Sequence, residues 1–141
     1  HGNPADCNGD GNATTPAPGD WGGVKFRSTS DDAYCKLNYT DLPYSGRIPC
    51  DVSNGGAAFE NAGGQMNYCT ISNSYKYGIW CDGNSTPAID NAVIQNCTLD
   101  PIAMSLTANP TFTNITFISN YSKAIKIIEG TARSMGVEVE R

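Results

Sequence analysis

The chain has 141 residues, enough for one hydrophobic core and no second of any size. Charged residues make up only 16%, against about 25% in ordinary domains, and Gly, Asn, Ser and Thr take their place, which argues against a helix-rich protein. The net charge is −5, with nine Lys and Arg scattered singly. That excludes the clustered basic face needed for nucleic acid or an anionic membrane surface, and the sequence lacks the long apolar run of a membrane-inserted helix. An all-β chain with many tight corners remains. Its acidic, Asn- and Asp-rich surface suits divalent cations or neutral sugars.

Residues 1–20 form a Gly/Asn/Pro-rich loop. The chain opens on polar His-Gly-Asn-Pro with no signal peptide, as expected of a processed product or an excised fragment. Asp6-Cys7-Asn8-Gly9-Asp10-Gly11-Asn12 places oxygen side chains at alternate positions. An EF-hand would put a bidentate Glu where Ala17 stands, so this is not one. Two readings stay open: a looser calcium site at Asp6, Asn8 and Asp10, and a solvated loop.

From residue 21 to 128 the chain repeats itself. Tyr34-Cys35-Lys36-Leu37, Tyr68-Cys69-Thr70-Ile71, Asn96-Cys97-Thr98-Leu99 and Asn114-Ile115-Thr116-Phe117 each alternate an inward Cys or Ile, a polar residue and an inward Leu, Ile or Phe. Three of these are followed by a second apolar stretch: Gly78 to Cys81, Ile102 to Leu106, and Ala124 to Ile128. Each coil is therefore expected to carry at least two strands, separated by corners such as Asn73-Ser74 and Asp82-Gly83-Asn84. Uneven spacing with a constant strand motif is what a solenoid gives when insertions fall in its turns. About four coils are expected, with Cys35, Cys69 and Cys97 stacked in an inward ladder.

The six cysteines, Cys7, Cys35, Cys50, Cys69, Cys81 and Cys97, include no Cys-x-x-Cys pair, and the one histidine is His1. Zinc is not expected. Disulfides of unknown pairing in an oxidising compartment are expected, the alternative being that stacked cysteines serve as small core hydrophobes.

Among the aromatics, Tyr75, Tyr77 and Trp80 lie close to Asp82 and Asn84 and are candidates for stacking on a sugar. Strand alternation puts Tyr75 and Tyr77 on one side and Trp80 on the other. The structural alternative has the tryptophans covering coil faces or ends and the tyrosines stacked in ladders. Six Asn-x-Ser/Thr sequons, at Asn12, Asn38, Asn84, Asn96, Asn114 and Asn120, are candidate glycosylation sites. Asparagine at solenoid corners is the alternative reading.

Catalysis is not expected. Asp31, Asp32, Asp41, Asp51, Asp82, Asp90 and Asp100 do not fall at equivalent coil positions, and most sit at expected corners. There is no internal His, no Gly-x-Ser-x-Gly and no phosphate loop.

The Asn-Gly-Asp-Gly loop leading into Pro16-Ala17-Pro18-Gly19-Asp20-Trp21-Gly22-Gly23-Val24, together with the Asn-Cys-Thr-type strands, resembles right-handed parallel β-helix domains of large secreted and surface proteins of bacteria and archaea. That resemblance implies a right-handed parallel β-helix acting as a passive rod or a binding face. Residues 129–141 read as a tail or joining strand. Neither end shows an amphipathic capping helix, so neighbouring domains or head-to-tail copies of the chain, forming a filament, are the expected partners. The functional expectation is an extracellular structural or adhesive module with no resident cofactor, calcium excepted. A carbohydrate-binding module is the alternative.

Overall fold

A computed structural model describes residues 14–46, 55–120 and 124–128. Short apolar-alternating runs become strands, and the turn residues between them become corners. In chain order the strands are β1 (Val24–Arg27), β2 (Lys36–Asn38), β3 (Asp41–Pro43), β4 (Gly55–Glu60), β5 (Gln65–Asn67), β6 (Thr70–Ser72) and β7 (Tyr77–Asp82). They continue with β8 (Ala88–Asp90), β9 (Val93–Gln95), β10 (Ile102–Ser105), β11 (Thr111–Thr113), β12 (Thr116–Ile118) and β13 (Ile125–Ile128).

Every third strand joins the same parallel sheet. Sheet A runs β1-β4-β7-β10-β13, sheet B β11-β8-β5-β2, and sheet C β12-β9-β6-β3. The chain therefore winds through the three sheets in turn, which is the right-handed parallel β-helix expected. Ile79 pairs with Ile102 and Ile102 with Ile125, a period of 23 residues. Sheets B and C keep the same period from Met66 to Ile89 to Phe112 and from Ile71 to Ile94 to Phe117. The first step is longer, Val24 pairing with Ala57, because the first coil carries the inserted residues.

The corners have a local cause. Between sheets B and C each coil turns on one residue in the left-handed region: Tyr39, Tyr68, Asn91 and Asn114, with φ from 50° to 52°. After sheet C, Tyr44, Asn73, Asn96 and Ser119 do the same at φ 49° to 57°. Asparagine tolerates this conformation, whereas for tyrosine it is a strained outlier. Inward columns then stack like on like. Leu42, Ile71 and Ile94 line sheet C, Met66 and Ile89 line sheet B, and Ala57, Ile79 and Ile102 line sheet A, all buried in one core. Phe26 stacks on Phe59 inside sheet A, ring centroids 4.9 Å apart.

Each coil carries three strands, in keeping with the expected minimum of two; the third was not read separately because strands of three residues separated by a single left-handed residue read as one segment in the sequence. Two expectations need correction. The cysteine ladder does not form. Cys35 lies against Gly64, Cys69 lies level with Thr40 and Ala92, and Cys97 lies above Ser74, so the three occupy different positions of the coil. Finally, Cys35, Cys69, Cys81 and Cys97 carry free thiols. The alternative, cysteine as a small core hydrophobe, holds for Cys69, Cys81 and Cys97, which are buried in the interior cluster. Cys7 and Cys50 lie outside the described residues.

The first coil carries a cap that is not a helix. Trp21 packs against the interior cluster and its indole N–H donates to the Pro43 carbonyl at 2.5 Å. The preceding turn is tied to sheet C through Gly19 N–H, which reaches the Tyr44 and Ser45 carbonyls at 3.1 Å. Its own shape is held by the Asp20 carboxylate accepting from Ala17 N–H at 2.9 Å. An indole thus covers apolar surface that the first coil would otherwise leave to water.

Candidate functional site

The outer corner between sheets B and C holds the feature least explained by folding alone. Tyr39 and Tyr68 occupy its first two rungs, their rings 5.1 Å apart and within 4° of parallel. Tyr39 is 79% exposed and Tyr68 51% exposed. Both sit at a positive φ that costs a bulky residue about 1–2 kcal/mol. The next two rungs carry Asn91 and Asn114, which suit the same backbone without strain. Their amides form a ladder: Asn91 donates to Asn67, and Asn114 to Asp90 and Asn91, each at 3.3 Å. A stacked aromatic pair therefore continues into a row of amide donors and acceptors, the two components that recognise the faces and hydroxyls of a sugar.

The sequence aligned Tyr34 with Tyr68 and missed this pair. The usable signal was the shared dipeptide, Asn38-Tyr39 and Asn67-Tyr68, separated by the same 29 residues as Leu37 and Met66.

Of the trio expected to stack on sugar, the structure brings Tyr77 and Trp80 together, ring centroids 5.6 Å apart and 13° from parallel. They share one side of the strand, which corrects the expectation that alternation separates them. Pairing between β4 and β7 keeps one register from Gly55–Tyr77 through Ala57–Ile79, and a Cβ on Gly78 would point at Ile94 and Cys97 inside. Gly78 and Ile79 thus face inward in succession, which brings Trp80 to the same outer side as Tyr77. Trp80 lies on the outside of sheet A against Ala58 and Ala103, with Tyr77 and Ile128 packed on the group. Trp80 is buried and its indole nitrogen is sealed from solvent, so it covers a coil face and offers no open ring to a ligand. Tyr75 is exposed just before β7.

The carboxylates have structural partners. Glu60 pairs with Lys25 at 2.5 Å across sheet A, and buried Asp100 lies 3.8 Å from Lys126. Asp31 accepts from Ala33 N–H, Asp82 from Gly83 N–H, and Asp90 from the Asn114 amide. Asp32 and Asp41 are exposed. Among the described residues no three His, Cys, Asp or Glu gather as a metal site. The calcium candidates Asp6, Asn8 and Asp10, together with Asp51 and the sequon at Asn12, lie outside the described residues.

Two thiols are electrostatically quiet. Burial pushes the Cys81 thiol up to about 12, and burial pushes Cys97 up to about 11 against an opposing backbone hydrogen bond at Ser74. Both are neutral and poorly nucleophilic at physiological pH.

The sequence matches the model of the family described as "Right handed beta helix region" over residues 22–140. No curated protein and no solved structure matches it. Three parallel sheets with a 23-residue coil agree with that match over most of its length, and the chain belongs to the right-handed β-helix family.

Proposed function

We propose that this chain is a non-catalytic, extracellular adhesive module that binds carbohydrate on the outer corner between sheets B and C. The observation that carries the reading is the Tyr39–Tyr68 stack. Two large aromatic side chains are held in water, in a backbone conformation that disfavours them, where the same corner uses asparagine one coil later. Strain retained at an exposed site is what a binding surface tolerates and a purely structural corner does not need. One face of each ring is taken by its neighbour, so a pyranose would add a further layer to the stack, with its hydroxyls toward Asn67 and the amide ladder. The extracellular setting rests on the sequons, since the described cysteines are free thiols.

The test is a titration of the folded chain with a panel of neutral and acidic oligosaccharides, followed by tyrosine fluorescence and calorimetry. Saturable binding by a neutral glycan, lost in Tyr39→Ala and Tyr68→Ala, is the expected result. Equal binding by wild type and both variants would sink the assignment of the site.

Head-to-tail assembly is a second reading, favoured by one observation. At the far end of the described solenoid Phe117 and Ile118 of β12 are 38% and 44% exposed, and Ile125 of β13 is 38% exposed. Parallel sheets present edges of the same direction at both ends, so a copy can in principle extend all three. Trp21 and its turn would have to be accommodated in that contact. Light scattering across a concentration range, with electron microscopy of any large species, separates the filament from the monomer.

A further inference from the structure

The described sequon asparagines are used in different ways. Asn96 and Asn114 hold left-handed corners at φ 53° and 52°, a conformation that selects asparagine by itself. Asn120 is consumed inside the fold: its Nδ2 donates to the Ile94 carbonyl at 2.8 Å, and its Oδ1 accepts from Cys97 N–H at 3.2 Å. Asn84 sits in the turn after β7, its own N–H donating to the Asn61 side chain at 3.1 Å.

Asn38 has none of these uses. It is exposed on β2, adjacent to inward-packed Leu37, and no described hydrogen bond engages its side-chain amide. Backbone preference does not call for asparagine there, because it lies in an extended strand. The left-handed turn at Tyr39 then folds the chain back, and the Thr40 hydroxyl donates to the Asn38 carbonyl at 2.9 Å. Asn38 is thus exposed at this corner, while Thr40, level with buried Cys69, is half-buried and tied back to Asn38, with Tyr39 of the stack between them in sequence.

We infer that Asn38 is an N-glycan acceptor whose first sugar lies on the Tyr39–Tyr68 stack, so that the attached glycan and an external one compete for a single surface. This rests on the reading of that stack as a sugar-binding site. The modification is a glycosyl transfer from a glycosyl pyrophosphate donor. Asn38 Nδ2 forms the bond to the sugar C1 and loses a proton, while the C1–O bond to the pyrophosphate breaks and that group leaves with the electron pair. Consecutive Cα atoms are about 3.8 Å apart, so a pyranose carried by Asn38 lies within reach of the neighbouring tyrosine ring. The unmodified chain presents an open stack, and the modified chain a covered one.

The experiment secretes the full chain from cells that carry out N-glycosylation and maps occupancy by site-resolved mass spectrometry. Glycan at Asn38 and none at Asn120 is expected; an unoccupied Asn38 overturns the proposal. Nitration of folded protein then reads the stack. Tyr39 and Tyr68 are expected to react several-fold more slowly in the glycosylated chain than in N38Q or in wild type trimmed enzymatically after folding, and equal rates overturn it. Last, N38Q and trimmed wild type are expected to bind an N-acetylhexosamine oligomer that the glycosylated chain does not. If no form binds while the nitration difference persists, the stack is not an external binding site, but the covered stack stands.

Discussion

Tyr77 and Trp80 stack on the outer face of sheet A although three positions separate them along one strand. Regular alternation places such residues on opposite faces. Gly78 makes the difference, because its missing side chain lets two successive residues face the interior. A Cβ at Gly78 would come within 2.5 Å of Ile94 Cγ2 and 2.6 Å of the Pro101 carbonyl oxygen.

Gly78→Ala is therefore expected to destabilise the chain by about 1–3 kcal/mol, the usual cost of overpacking a core. Pro101 is held by backbone pairing to β7, so the clash cannot be relieved by one side chain moving. Urea denaturation of the variant measures the loss. Gly78→Ala should also blue-shift or red-shift the tryptophan emission, since Trp80 depends on the same irregularity for its position. An unchanged midpoint and spectrum would mean that the interior has room at this point.

Trp80→Ala separates cover from ligand site. The indole fills the outer face between Ala58 and Ala103, and its removal is expected to cost about 3 kcal/mol or more. Sugar affinity of the folded fraction should remain that of wild type. Tyr39→Ala should do the reverse, abolishing sugar binding with a loss of about 1 kcal/mol or less, set by the stacking it removes.

Tyr39→Asn sharpens this. Asparagine relieves the left-handed strain, worth about 1–2 kcal/mol, and forfeits a stacking contact worth about 0.5–1.5 kcal/mol. The melting temperature should therefore stay level or rise while binding disappears. A stability–function trade at this corner is the signature of a site kept for its ligand. A clear fall in melting temperature would instead make the tyrosine pair a structural ladder.

What the sequence disclosed follows from the same geometry. The parallel solenoid was legible because inward apolar residues recur with polar neighbours, and Cys69 and Ile115 were matched correctly, two coils apart in one column. Cys35 and Cys97 were placed in that column wrongly. With three-residue strands, Asn96-Cys97-Thr98-Leu99 at the corner leaving sheet C has the same pattern of polar and apolar residues as Tyr68-Cys69-Thr70-Ile71 at the corner entering it. Only the backbone distinguishes them. The Tyr39–Tyr68 pair was hidden for the same reason, and the Tyr77–Trp80 pair because a glycine irregularity leaves no mark in a two-residue period.

Asn120→Ala tests the corner at the far end of the described solenoid. Both ends of its amide are engaged, with Ile94 O and Cys97 N–H, and deleting them removes both bonds and leaves the Cys97 N–H without its partner. A loss of about 1–3 kcal/mol is expected. Since this asparagine is also in a sequon, the glycan pattern of the secreted protein should not change.

The buried thiols set a pH limit. Cys81 rises from 9.0 to about 12 and Cys97 from 9.0 to about 11 on folding, each through burial. A thiol whose proton is held more tightly in the folded state than in the unfolded one leaves stability untouched while both states are protonated, and lowers it once the unfolded chain alone can release the proton. The folded chain binds more protons than the unfolded one between about pH 9 and pH 12, so stability is full below that window and falls as pH rises through it. The comparison that isolates the effect is wild type against Cys81→Ala. The variant loses some core packing at every pH, but its denaturation midpoint should fall less steeply between pH 9 and pH 11. Parallel curves for the two proteins would show that Cys81 reaches solvent in the native state. Native alkylation gives the same answer independently: Cys35, partly exposed, should react at pH 8, and Cys81 only on unfolding.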